Sequence, residues 1–148
     1  MKYPLYVVNV EAAIYKDNKW LLTKRSLHED HAPGIISLIG GKVDTEIPTH
    51  NVLEETLKRE IIEEVGIEVY DECTYVHSSS FIATFGKHVI YILFLCRYKS
   101  GEPQALDPDE LESVNWMTLE EVLESEKIPV WTKDSLKLAE TIRKKQKD

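Results

Sequence analysis

The sequence predicts an α/β fold, and three observations carry that prediction. Val52–Val65 contains neither Gly nor Pro, follows Asn51 and precedes Gly66, so it reads as one helix with an N-cap and a C′ stop. Alternating runs rich in Val, Ile and Tyr stand before and after it. Residues 89–98 are almost wholly apolar, as a strand buried on both faces must be, and this places helices on each side of a sheet. With 148 residues the chain is long enough to bury a real core and is expected to be one domain over residues 1–148.

In chain order, residues 5–15 alternate around Val7, Val8, Val10 and Ile14 and read as a strand. Residues 16–19 form a turn, and residues 20–25 are the return strand of a hairpin. Residues 26–33 are a polar loop. Its His28, Glu29, Asp30 and His31 are the residue types of a transition-metal site, against the commoner reading of a solvated loop. Residues 34–39 are a short apolar strand leading into Gly40 and Gly41. After the helix, residues 67–75 are a strand that can extend through Val76, and Ser78, Ser79 and Ser80 predict a break or bend. Residues 81–85 are extended, Gly86 and Lys87 form a hairpin turn, and the apolar strand follows. Residues 99–108 are a loop with Gly101, Pro103 and Pro108, and residues 111–117 are a last strand. Thr118 with Glu121 is a capping box opening a short helix to about Ser125. Pro129 breaks the chain. Residues 133–145 form an amphipathic helix with Leu136, Ala139 and Ile142 inward, and the basic run from Arg143 to Lys147 complements its dipole.

Apolar residues make up 43% and charged residues 30%, the balance of a soluble globular protein. The net charge of −8 argues against broad binding to nucleic acid or anionic membranes. It also means that an anionic substrate needs a metal ion or a local basic cluster to hold it. The two cysteines, Cys73 and Cys96, lack metal-type spacing and read as buried free thiols of a reducing cytoplasm. No signal sequence opens the chain and no apolar run approaches the length of a membrane span, so a cytoplasmic location is expected.

The helix carries the chemistry. At 100° per residue, Glu60, Glu63 and Glu64 fall within an arc of about 100°, while Leu57, Ile61, Ile62 and Val65 lie mostly on the other side and can face a core. Like charges at that spacing repel by a few tenths of a kcal/mol, and a hard divalent cation removes the repulsion. Arg59 can orient one of the acids or meet a phosphate oxygen. Gly40 and Gly41 let the backbone approach a cation and offer a carbonyl ligand. The plain alternative is a solvated acidic helix.

The string from Gly41 to Ile67 resembles the Nudix box, G-x5-E-x7-R-E-U-x-E-E-x-G-U with U aliphatic. Gly41, Arg59, Glu60, Ile61, Glu63, Glu64, Gly66 and Ile67 match. Between Gly41 and Arg59 the chain is four residues longer than the pattern, an excess that falls in residues 45–50. Counting back from Arg59, the first Glu of the pattern falls on Asn51, so its supporting role is lost or moved to Asp44 or Glu46. Ile39 and Ile36 stand where relatives usually have Pro and an aromatic residue. The resemblance is strongest from Gly40 to Ile67 and covers residues 5–125 more loosely, including the strand with Trp116 that leads into Glu120 and Glu121.

The resemblance implies an α/β/α sandwich with a mixed β-sheet and Mg²⁺-dependent hydrolysis of a pyrophosphate bond in a nucleoside diphosphate linked to another moiety, with Mn²⁺ as an alternative cofactor. The linked species include ordinary or oxidised nucleoside triphosphates and ADP-ribose-type compounds. It implies metal binding by Glu60, Glu63, Glu64 and the Gly40 carbonyl. Glu60 is the base candidate within the helix, and Arg59 orients a glutamate. Arg25 and Lys42 are candidate phosphate contacts, and Glu112 or Glu110 is a further carboxylate. Tyr6, Phe81, Phe85 and Trp116 are candidate base stackers, against the commoner reading of such aromatics as core. Asn9 and Glu11 share a strand face and can line a pocket. The implied partner is a nucleotide-type small molecule, with no nucleic acid or membrane, and many relatives are homodimers. Two other classes stay open. One is a non-catalytic Nudix-like nucleotide sensor, which Asn51 and the longer loop favour. The other is an interaction domain with an acidic helix, which would show no metal-dependent stabilisation.

Overall fold

The computed structural model describes residues 3–30 and 32–146, so His31 and Lys147 lie outside the described residues, as does the side chain of Phe85. In chain order the elements are β1 (Tyr6–Lys16), β2 (Lys19–Arg25), β3 (Ile36–Ser37), β4 (Ile39–Lys42), α1 (Val52–Val65), β5 (Glu68–Ile82), a 3-10 turn (Thr84–Gly86), β6 (His88–Ser100), β7 (Leu111–Thr118), α2 (Leu119–Glu124) and α3 (Val130–Gln146). Among the described residues, seven strands form one mixed sheet in the order β3-β2-β1-β6-β5, with β4 added to β1 and β7 to β2. β1 and β6 run parallel along their length, from Tyr6 opposite His88 to Tyr15 opposite Arg97. β1 and β2 pair only beside their turn, at Tyr15 with Trp20 and Lys16 with Lys19. Beyond it they part: β1 takes β4 as its neighbour and β2 takes β7.

Strand alternation sorts the core into two layers. Val10, Ala12, Ile14 and Leu21 face α1 and pack with Leu57, Ile61 and Val65. Ala13, Trp20, Leu22, Leu93 and Leu95 face the other way and pack with Val122 of α2 and Leu136 and Ala139 of α3. The result is the expected α/β/α sandwich, and the apolar run of residues 89–98 is an interior strand between β1 and β5. The capping box is formed as expected: Thr118 Oγ1 accepts from the Glu121 N–H at 3.2 Å, and the Thr118 N–H donates to Glu121 Oε1 at 2.9 Å. Among the described residues no helix is long and apolar enough to cross a membrane.

Five local expectations need correction. Ser78, Ser79 and Ser80 do not break the chain; they pair with Ile92, Tyr91 and Ile90 in one continuous β5. The long ladder offered by β6 overrides their weak strand preference. Residues 34–39 are not one strand, because the chain passes from β3 on β2 to β4 on β1. Ile62 is 52% exposed, since the apolar face of α1 is filled by Leu57, Ile61 and Val65. Asn51 occupies the N-cap position in the left-handed region, φ 54°, without a side-chain cap; its carbonyl accepts from the Glu55 N–H at 2.9 Å. α3 starts at Val130, directly after Pro129, whose carbonyl accepts from the N–H groups of Thr132 and Lys133.

Candidate active site

The site forms where β4 meets α1. The Val43 N–H donates to the Val8 carbonyl at 2.8 Å, so Gly41 opposite Val10 is also a hydrogen-bonded pair, and Gly40 turns its N–H and C=O away from β1. That free backbone edge lies beside α1, where the Gly40 backbone favours the charged form of the Glu64 carboxylate. Both glycines are required by space. A Cβ on Gly41 would lie 2.4 Å from Cδ and 2.7 Å from Oε1 of Glu60, and one on Gly40 would lie 2.1 Å from the Val10 carbonyl oxygen. The Glu60 carboxylate therefore rests on the Gly41 backbone.

The three helix glutamates have different environments. Glu64 is half-buried, and its Oε2 is shielded from solvent without a hydrogen-bond partner. Burial, then the charges of Glu60 and Glu110, push its carboxyl up to about 8 against the pull of the Gly40 hydrogen bond. Burial likewise raises Glu60, opposed by Arg59 and reinforced by Glu63, Asp44 and Glu110. Glu63 is turned outward. Arg59 gathers the acids, with contacts of 2.9 Å to Asp44, 3.4 Å to Glu60 and 3.4 Å to Glu63. Asp44, rather than Asn51 or Glu46, is thus the loop acid joined to the helix.

The donor set fits a hard divalent cation: carboxylate oxygens and a backbone carbonyl. Glu64 Oε2 is a buried oxygen lacking a positive partner, and burial, with the neighbouring acids behind it, raises the carboxyls of Glu60 and Glu64, a cost that such a cation would offset. Among the described residues, no three His, Cys, Asp or Glu side chains converge into a ready-made cage.

The other sequence candidates fall around this centre unevenly. The charge of Glu110 acts on both Glu60 and Glu64. Glu112 instead binds Lys24 at 2.8 Å. It is the extra residue of a bulge, since Lys24 pairs with Ser113 and Arg25 with Leu111, and the bulge re-aims it. Arg25 is half-buried and contacts Glu29 at 2.9 Å, so Glu29 is already engaged by a cation in the loop whose residue types suit a transition metal. The Ser26 N–H donates to the Glu110 carbonyl at 2.8 Å and anchors that loop to the acidic end of β7. Lys42 is exposed and lies across from Asn9, so the two share the sheet face opposite α1. Tyr6 and Phe81 are 45% and 48% exposed, whereas Trp116 packs on the core beside Tyr98.

Sequence reasoning named Glu11 without its partners. Tyr91 Oη donates to Glu11 Oε1 at 2.8 Å, and burial raises this carboxyl to about 7. His77 Nε2 and Ser135 Oγ lie 3.0 Å apart, and the His77 ring packs edge-on against Tyr91. No local pattern flags these contacts, which join residues 58 and 80 positions apart.

A sequence model of the NUDIX domain matches residues 5–139. The chain belongs to the NUDIX family. Among solved structures, the Nudix fold here is similar to a MutT NUDIX hydrolase from Burkholderia pseudomallei, with a TM-score of 0.76 and 30% identity over 90% of this chain and 98% of that one. It is also similar to a MutT protein from Methanosarcina mazei Go1, with a TM-score of 0.73 and 26% identity over the full length of both. Among curated proteins, it is 32% identical over 114 residues to an NAD-capped RNA hydrolase, NudC, of Enterobacter sp.. That match takes in 77% of this chain, which spans 40% of the relative's length.

Proposed function

We propose that this Nudix chain hydrolyses a pyrophosphate bond in a nucleoside diphosphate linked to another moiety, with Mg²⁺ or Mn²⁺ as cofactor. The observation that carries the proposal is the pairing of a buried, unpartnered Glu64 oxygen with a Glu60 carboxylate seated on Gly41. Glu60, Glu64 and the Gly40 carbonyl would hold the cation, with Glu63 at the outer edge. A bound divalent cation supplies charge neutralisation at the phosphate oxygens and activation of water.

The chain's own residues supply the rest. Arg59 spans Asp44, Glu60 and Glu63 and orients the Glu60 and Glu63 carboxylates before substrate arrives. Glu60 is the candidate base within the helix; burial raises its proton affinity in the metal-free chain, which makes it a stronger proton acceptor than a solvated carboxylate. Arg25 and Lys42 are candidate contacts for the diphosphate, and Glu110, with Glu112 beside it in sequence, is the nearest candidate for an extra carboxylate. The moiety attached to the diphosphate sets specificity. Nucleoside triphosphates, oxidised or not, and ADP-ribose-type compounds fit the chemistry. A net charge of −8 favours such small substrates over the polyanionic RNA that the NudC relatives' name describes. A nucleotide sensor without turnover is the second reading; Asn51 and the longer loop before α1 favour it, and the complete set of helix glutamates opposes it.

The deciding experiment measures phosphate and pyrophosphate release from a panel of nucleoside diphosphate derivatives with and without Mg²⁺, beside a Glu63→Gln, Glu64→Gln double variant. Metal-dependent turnover that the variant loses is the expected result. Nucleotide binding without turnover on any panel member would replace the enzyme with the sensor.

A further inference from the structure

Cys73 and Cys96 stand directly opposite each other on β5 and β6, with their sulfurs 3.6 Å apart and the Cys96 thiol donating to Cys73. Opposed residues of an antiparallel pair have Cα atoms about 4.5–5.5 Å apart, inside the range of about 4.4–6.8 Å that a disulfide spans. The sulfurs must close by about 1.5 Å to reach the bonded distance of about 2.05 Å, which side-chain rotation supplies while both strands stay in place.

The two thiols are not equivalent. Cys96 is 0% exposed within the α1-side core, whereas Cys73 is half-buried on β5, which ends the sheet. Residues 70–72 leave the register between Val69 and Cys73, so the β5–β6 ladder is interrupted beside Cys73. The hydrogen bond from Cys96 holds the Cys73 thiol below its usual range despite burial, and the positive charge of Lys58 adds to this. The same hydrogen bond and full burial push Cys96 up. An accessible, acidified sulfur beside a buried one is the arrangement of an attacking and a resolving thiol.

We propose that Cys73 and Cys96 form an oxidisable cross-strand dithiol, which a hydroperoxide converts to a disulfide tying β5 to β6 beneath α1. The Cys73 thiolate attacks the peroxide, forming an S–O bond as the O–O bond breaks. The departing oxygen takes a proton and leaves as alcohol or water. Cys96 then attacks the Cys73 sulfur; the S–S bond forms, the S–O bond breaks, and the sulfenic oxygen departs as water with the Cys96 proton. One hydroperoxide is reduced to alcohol and water for each dithiol oxidised.

The test treats the native, fully reduced chain with a small excess of hydrogen peroxide and then follows intact mass and the free-thiol count after denaturation. The wild type should lose both thiols together, fall in mass by two hydrogens, stay monomeric on a non-reducing gel and recover with dithiothreitol. C96S should gain oxygen at Cys73 or, with glutathione present, one glutathione. C73S should lose its remaining thiol at least about tenfold more slowly than the wild type loses its pair, because Cys96 is sealed in the core. Wild-type chain that gains oxygen without losing two hydrogens, that couples to a second chain, or that keeps both thiols overturns the proposal. The wild-type mass decides the pairing without either variant, and C73S losing its thiol as fast as the wild type would refute the assigned order of attack.

Discussion

Replacing Glu64 by Gln tests the electrostatic basis of the candidate metal site without any substrate. In the fold this carboxyl sits near 8, against about 4.5 when solvated. The sign follows from linkage: a carboxyl whose folded value is raised contributes stability that is fully present below the unfolded value and is lost as pH rises through the folded one. The slope is about 1.4 kcal/mol for each pH unit between the two values, so the metal-free protein gives up about 3 kcal/mol through Glu64 between about pH 5 and about pH 7. Glu60 and Glu11 are raised as well and add losses of the same sign, so the wild-type slope alone does not isolate Glu64. The difference between wild type and Glu64→Gln does. Urea unfolding in chelator at both pH values is the assay. The wild type should lose about 3 kcal/mol more than the variant between them, and at high pH the variant should be the more stable protein. Adding Mg²⁺ at about pH 7 should restore the wild type by about 2.7 kcal/mol at one hundred times its dissociation constant, and the variant by much less. Equal pH dependence in the two proteins, to within about 0.5 kcal/mol, would refute the assignment of Glu64 as a buried, unneutralised carboxyl.

Other substitutions probe the surroundings. Gly41→Ala drives a methyl into the Glu60 carboxylate, so turnover should fall about 100-fold through a displacement near 1 Å, with about 1–3 kcal/mol of destabilisation in thermal melts. Tyr91→Phe removes the donor to Glu11 and should cost about 1–3 kcal/mol above about pH 7, where Glu11 is ionised, and less below it, read as a growing gap between wild-type and variant unfolding curves. Thr118→Ala removes the cap of α2 and should cost about 1 kcal/mol while leaving kcat/KM unchanged, because the box helix is untouched.

Much of the molecule was legible in the chain because the informative signals are local. α1 begins and ends where the absence of Gly and Pro and the position of Gly66 put it, and the capping box at Thr118 is formed as the spacing predicted. The apolar run of residues 89–98 is an interior strand for the reason its composition suggests. The failures are also local readings, at places where a distant partner decided the outcome. The serines at 78–80 stay in a strand because β6 runs alongside them, and Ile62 is exposed because Leu57, Ile61 and Val65 are the apolar side chains of α1 that reach the core.

For the site, the sequence by itself determined the set of acids on one helix face, the arginine among them and the glycine pair in front, since helical period and residue type need no knowledge of the rest of the chain. The tertiary structure alone decided how those acids differ. It buries Glu64 and leaves Glu63 outside, brings Asp44 to Arg59, turns Glu112 toward Lys24 through a bulge while the field of Glu110 reaches the box, and sets Cys73 against Cys96. Each of these outcomes depends on strand register and on what packs above the face. Such contacts span 15 residues between Asp44 and Arg59 and 23 between the cysteines, far beyond the few residues over which a helix or strand period carries information.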